Sequence, residues 1–306
     1  MTEEKPIKAI LALMAACTIW GLGPLFWKLL SHVPPIEVLA HRTFWSMMIF
    51  AVYLGVQGRL SELRAALGAG RQGLVIAAAA LMISINWFLY IWSIANNHAV
   101  EASLGYFLFP LVAVLLGKVV FGETLSRLQW AAIALAGFAV IVLAAGLGVA
   151  PWIALTLAAS FGVYGLIKKQ LTLGPVVSVT AEVLLMLPVA MVILARIHLT
   201  QTGAFGQSVV DSLLLIFSGL FTATPLMLLS YAAKRVSMAT FGLVQYLNPT
   251  LQFFCAVVIF GEPFGLWHAI TFPMIWVALL LYAVALIRQD RASRRSATKL
   301  SSVAES

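Results

Sequence analysis

Ten long apolar runs separated by short polar breaks fill the chain, at about residues 9–30, 36–56, 73–95, 101–121, 128–147, 150–168, 176–196, 210–232, 239–260 and 266–287. A helix needs about 20 predominantly apolar residues to cross a hydrocarbon layer about 30 Å thick, and the runs come close to that length. Backbone in lipid must satisfy its own hydrogen bonds, so such runs fold as spanning helices and not as open sheets. With 62% of the 306 residues hydrophobic and only 10% charged, no single soluble core could hide the apolar surface. The breaks hold turn formers, among them Pro34-Pro35, Gly146 to Pro151 and Gly174-Pro175, and none is long enough for an inserted soluble domain. The reading is an all-α integral membrane protein with ten transmembrane helices.

The first run follows Lys5 and Lys8 and is too long for a signal-peptide core. It reads as a spanning helix, although Met14-Ala15-Ala16-Cys17 faintly resembles a lipoprotein cleavage site. Cys17 and Cys255 lie inside apolar runs without metal-type spacing, as packing thiols do. The net charge of +8 is spread between the runs and not along one face, which argues against nucleic-acid binding. It reports topology instead. With both termini in the cytoplasm, only Lys28 and Arg196 of the nineteen Lys and Arg residues fall on the far side, and Arg42 lies within a helix. The remaining sixteen, from Lys5 and Lys8 through Arg59, Lys118, Lys168, Lys234 and Arg288 to Lys299, fall inside, as the positive-inside rule favours. Residues 289–306 form a polar, basic tail that reads as disordered.

An internal repeat divides the chain. Phe109-Pro110 through Phe121-Gly122-Glu123 is echoed by Asn248-Pro249 through Phe260-Gly261-Glu262, with thirteen residues from proline to glutamate in each. Pro35 precedes Arg42, and Pro175 precedes Glu182, by seven residues each. The halves are residues 1–148 and 149–288, five helices apiece. Because five is odd, the second half enters the membrane from the other side, placing Glu123 inside and Glu262 outside. This is the inverted-repeat plan of many secondary transporters, with solute bound near the midplane between halves.

These features, with the strings Ile19-Trp20-Gly21, Ile36-Glu37-Val38-Leu39-Ala40-His41-Arg42 and Glu101-Ala102-Ser103-Leu104-Gly105-Tyr106-Phe107, resemble the drug/metabolite transporter superfamily, and within it the EamA-type, RarD-like branch. The resemblance covers Lys8 to Ile287. It implies an inner-membrane permease that exports its solute, with helices five and ten peripheral and the others around a central cavity.

Ionisable groups inside a bilayer are costly and turn toward protein or a wet cavity. Arg42 and Glu182 lie about 10 Å into the membrane from opposite faces, at about 1.5 Å per residue from their prolines. Two readings stay open. One is a structural ion pair between helices two and seven, which needs helix tilt and the full reach of arginine. In the other, Glu182 responds to protons or solute charge while Arg42 tunes it or binds an anionic solute group.

On helix three Asn86, Tyr90, Ser93 and Asn97 share one face. Helix four adds Ser103 and Tyr106 near Pro110, helix eight Thr224 and Tyr231 around Pro225, and helix nine Gln245 and Asn248 beside Pro249. Each of these prolines removes a backbone donor and marks a helix break that can show polar backbone to a cavity. With Trp20 and Tyr164 on helices one and six, these residues outline an aromatic, mostly uncharged cavity suited to a small amphipathic solute with a flat ring. Taken singly, the same polar groups also read as glue between helices. Glu101 complements the positive end of helix four, Glu123 and Glu262 cap the following turns, and His41 reads as packing.

The chain lacks a phosphate-cradling loop, so uphill transport must draw on an ion or solute gradient, with coupled protons one candidate. The enzyme motifs H-E-x-x-H and G-x-S-x-G are missing too. No cofactor, metal or nucleic-acid partner is expected; the partners are a small solute and the lipid bilayer. A non-transporting membrane sensor or assembly protein is the alternative, and a membrane-embedded enzyme a more distant one.

Overall fold

A computed structural model describes residues 4–68, 70–122, 124–233, 235–236 and 238–304. Among the described residues the chain is helical and forms no sheet. The helices are α1 (Glu4–Gly21), α2 (Gly23–Leu29), α3 (Pro35–Val56), α4 (Leu60–Gly68), α5 (Arg71–Ala95), α6 (Ala99–Phe121), α7 (Arg127–Leu147), α8 (Trp152–Lys169), α9 (Pro175–Leu199), α10 (Val209–Ala233), α11 (Met238–Gln245), α12 (Leu247–Phe254) and α13 (Leu266–Ala304), with one π-helical turn at Cys255–Ile259. Large apolar side chains such as Val52, Phe138, Ile141 and Leu213 stand exposed around the bundle, a surface suited to lipid.

Among the described residues eight segments are long and apolar enough to cross a membrane: Ile7–Leu29, which joins α1 and α2, and the spans within α3, α5, α6, α7, α9, α10 and α13. The apolar stretch Leu243–Ile259 is shorter. The run at 150–168 is the helix α8, closed by Lys168 and Lys169. The ten spans read from the sequence are thus eight of full length, with two shorter helical stretches at the remaining runs.

Three expectations need correction. Helices α6 and α10 run on through Pro110 and Pro225, because a proline deletes one donor and packed neighbours hold the helix across the gap. The chain does break between α11 and α12, at Tyr246, three residues before Pro249. The tail is not irregular: α13 continues to Ala304. No glycine or proline follows Pro273 in that helix, and arginine, alanine and lysine favour helix. Glu123 and Lys234, which carry part of the topology reading, lie outside the described residues.

Helices pack in matched sets. α6 lies on α8 as α12 lies on α1, and α5 lies on α8 as α10 lies on α1; α3 meets α9 and α7 meets α13. Small residues set the closest approaches, as in many membrane bundles. A Cβ on Gly105 of α6 would stand 2.8 Å from Leu157 Cβ and 2.9 Å from the Ala154 carbonyl oxygen of α8. On Gly21 at the end of α1 it would stand 2.7 Å from Leu251 Cβ of α12.

The Gly-Glu pair explains part of its own recurrence. Gly122 ends α6 at φ +67° and Gly261 follows the π turn at φ +65°, a left-handed backbone that glycine adopts without penalty. Beyond Gly261, Glu262 turns back under the other half. Its Oε1 and Oε2 accept from the Ala99 and Val100 N–H groups, each at 2.8 Å. Glu262 therefore caps α6 and not the turn after its own run. A carboxylate suits the positive end of a helix. Glu262→Ala would strand two donors at a buried position, at a cost of roughly 2–6 kcal/mol from about 1–3 kcal/mol per buried donor. The check is the unfolding midpoint in detergent, with Glu262→Gln keeping an intermediate value.

Candidate transport site

Helices α6, α8, α11, α12 and α13 enclose a cavity of about 740 Å³. Its walls carry Tyr106, Phe109, Phe161 and Tyr246 as aromatic faces, with Gln245 and Asn248 as polar groups. Pro110 and Pro249, the two prolines of the duplicated segment, both border it. The cavity reaches Lys169 and Gln289 at the basic end of the bundle. A second cavity of about 720 Å³ lies at the other end, between α3, α9 and the loop at 200–208. Glu37, His41, Trp45 and Phe205 are among its lining residues.

Arg42 stands between them. Its neighbour in the chain, His41, lines the second cavity. Trp87, whose ring Arg42 overlies, adjoins Asn86, which is bonded to Tyr106 on the wall of the first. The guanidinium is buried. Its Nε donates to Thr222 Oγ1 at 2.7 Å, and its planar face lies 3.9 Å from the Trp87 ring centre and 5.2 Å from that of Trp27. Among the described residues no carboxylate pairs with it. Aromatic faces attract a desolvated cation and hold it without neutralising it.

Glu182 has a different partner from the one considered in the sequence. Its Oε1 accepts from Lys168 Nζ at 2.6 Å and from Ser178 Oγ at 3.0 Å, and its Oε2 from Tyr164 Oη at 3.0 Å. Lys168 lies in the last turn of α8, and a short turn reverses the chain into α9, so the lysine stem runs down beside the second turn of its neighbour. The ion pair joins α8 to α9 and leaves Arg42 out.

The remaining candidates sort by their bonds. Asn86 ties three helices together: its Nδ2 donates to the Leu157 carbonyl oxygen and Ser160 Oγ, and its Oδ1 accepts from Tyr106 Oη at 2.8 Å. Asn97 accepts from Lys28 at the end of its helix. Ser103 donates to the Val100 carbonyl oxygen of its own turn. Asn248 accepts from Gln252 while bordering the cavity. Tyr90 is buried edge-on to Tyr106, ring centres 5.5 Å apart, and neither its hydroxyl nor that of Tyr246 has a partner. Trp20 and Thr224 are half-buried, outside both cavity walls. Tyr231 is exposed, with the Arg235 guanidinium 4.0 Å over its ring. The structure brings Tyr106, Gln245, Asn248, Pro110 and Pro249 to one cavity and leaves the others as helix-to-helix bonds or at the edges.

Sequence reasoning missed Lys168, Trp87 and Glu37. A lysine at a run's end looks like a topology marker, and only the hairpin of α8 and α9 shows its reach. Glu37 had a usable signal, an acid in the first turn after Pro35.

A helical chain with many apolar spans and cavities between its helices has the build of a membrane transporter. Within that class it is a member of the EamA-like transporter family, whose model matches residues 7–145 and again 149–284. It is 42% identical to the protein RarD of Streptomyces exfoliatus over 95% of this chain and 93% of that one. It is 38% identical to the protein RarD of Escherichia coli over 96% and 100%. An uncharacterized transporter of Bacillus subtilis is 39% identical over 96% and 99%. One crystal structure shares the fold with a TM-score of 0.56, at 18% identity over 90% of this chain and 97% of that one.

Proposed function

We propose that the protein is a secondary transporter in which two inverted five-helix repeats rock about a solute held near Arg42, opening the two cavities in turn. The observation that carries this reading is a buried arginine, paired with no carboxylate among the described residues, between cavities at opposite ends. Such a group is costly unless something completes it, and a solute with an anionic group and a flat ring would do so among Trp27, Trp87, Tyr90 and Tyr106. The inverted repeat draws support from the twofold family match and from the matched packing of the halves. The protein would lie in the cytoplasmic membrane with both termini inside. The cavity at the basic end then opens to the cytoplasm, which suits export.

Purified protein in vesicles, given aromatic carboxylates, amines and neutral ring compounds, tests this directly. Net efflux of an aromatic carboxylate is expected, faster when a proton gradient is imposed. Flux without any gradient effect would reduce the mechanism to facilitated diffusion, and no flux of any compound would favour the sensor reading. Single cysteines beside Glu123 and Glu262 should label from opposite sides of the membrane; labelling from one side would remove the inverted repeat.

A further inference from the structure

The second cavity is more than the far mouth of a pathway. Glu37, His41 and Trp45 follow one another at four-residue spacing along α3, so they stand on one face about 6 Å apart along the helix axis. Each carries a buried polar atom without a hydrogen-bond partner: Glu37 Oε2, His41 Nδ1 and Trp45 Nε1. Glu37 is 0% exposed and His41 7%. Native proteins rarely leave buried polar atoms unpaired, and three on one face of one helix are more than packing accounts for.

What covers them is the loop at 200–208. The Phe205 ring stacks on His41, centres 4.7 Å apart and planes at 25°, where a ligand ring would lie. The loop is held by the same carboxylate: Glu37 Oε1 accepts from the Ala204 N–H at 2.8 Å and from the Phe205 N–H at 3.3 Å. Gly206 sits at φ +86°, a conformation glycine tolerates. One oxygen of Glu37 thus holds the cover and the other waits behind it.

We propose that this face of α3 is a second binding site, for an aromatic amine, with the 200–208 loop as its lid. The chemistry of each atom sets the ligand. Glu37 Oε2 is an acceptor that calls for an ammonium group. The Trp45 N–H is a donor that calls for an oxygen at the ligand's other end. Between them, His41 offers a flat face for a ring once Phe205 moves aside. The inference goes beyond the transport reading, since it concerns another end of the bundle and another charge.

Tyramine carries the three features and is the probe. Binding to the purified full-length protein in nanodiscs, measured by calorimetry, is compared with tyrosol, which replaces the amine by a hydroxyl, and with phenethylamine, which lacks the phenol oxygen. Tyramine should bind at least about tenfold more tightly than tyrosol, the worth of one good hydrogen bond to a charged group, and about two- to tenfold more tightly than phenethylamine, the worth of a neutral one. Glu37→Gln should abolish the preference over tyrosol, and Trp45→Phe the preference over phenethylamine. Phe205→Ala, which removes the competing ring without touching α3, should tighten tyramine binding. Equal affinity for the three compounds, or a Phe205→Ala protein that stays folded and binds tyramine no better, would overturn the proposal. Arg42→Gln should leave tyramine affinity unchanged, which separates this site from the one between the cavities.

Discussion

Replacing Lys168 by methionine is expected to destabilise the protein by about 3–5 kcal/mol, the usual result of stranding one member of a buried ion pair. Glu182 is 2% exposed and would keep only Ser178 and Tyr164 as donors. The reverse change should be milder. Lys168 is 21% exposed and lies at the end of its helix, so after Glu182→Gln its ammonium can turn along its stem toward the polar boundary. A glutamine can still accept from Tyr164. The double variant should be more stable than Lys168→Met alone, because neither charge is left behind. Unfolding is readable with a thiol dye, since Cys17 and Cys255 are both free and buried and react only when the bundle opens. Equal midpoints for the two single variants would show that burial does not govern this pair. A cost under about 1 kcal/mol would put it with exposed surface pairs.

The same pair shows what a sequence can and cannot reveal. Spans are legible because a helix in lipid must be apolar over a fixed length, and that demand is written residue by residue. The Gly-Glu repeat is legible too, since a left-handed turn favours glycine wherever it recurs. Partners are not. Glu182 meets Lys168 fourteen residues earlier only because α8 and α9 form a tight hairpin, and Glu262 meets α6 across more than half the chain. Neither contact leaves a local period. Helix breaks are illegible for a related reason: Pro110, Pro225 and Pro249 look alike in sequence, whereas continuity depends on what packs beside the missing donor. At Tyr246 the helix parts where the cavity takes one side of it.

The cavity residues follow the same division. An aromatic, mostly uncharged lining was readable from the clustering of tyrosine, asparagine and glutamine near the duplicated prolines. Which of them face the cavity was not, because a polar group in lipid gains as much from a neighbouring helix as from a solute. Asn86 went to the helices, Gln245 to the cavity wall.

Arg42→Gln is expected to lower the efflux of an aromatic carboxylate by about a hundredfold, near the low end of the cost of removing one partner of a buried, hydrogen-bonded charge pair. It should leave the flux of the neutral analogue within about twofold, since uncharged ring contacts remain. The same substitution should not lower the unfolding midpoint. A buried guanidinium held by one hydroxyl and two ring faces has surrendered its hydration without gaining a carboxylate, so removing it strands no opposite charge and relieves part of that penalty. Arg42→Lys is the discriminating control. Lysine keeps the charge but loses the planar stack on Trp87 and the fixed geometry toward Thr222, so it should recover some carboxylate flux and no selectivity by ring shape. A site that exists for solute and not for packing trades stability for function, and the two measurements separate these roles. If Arg42→Gln unfolds more readily than the parent while carboxylate flux persists, the arginine is glue between α3 and α10 and the solute's charge must be read elsewhere.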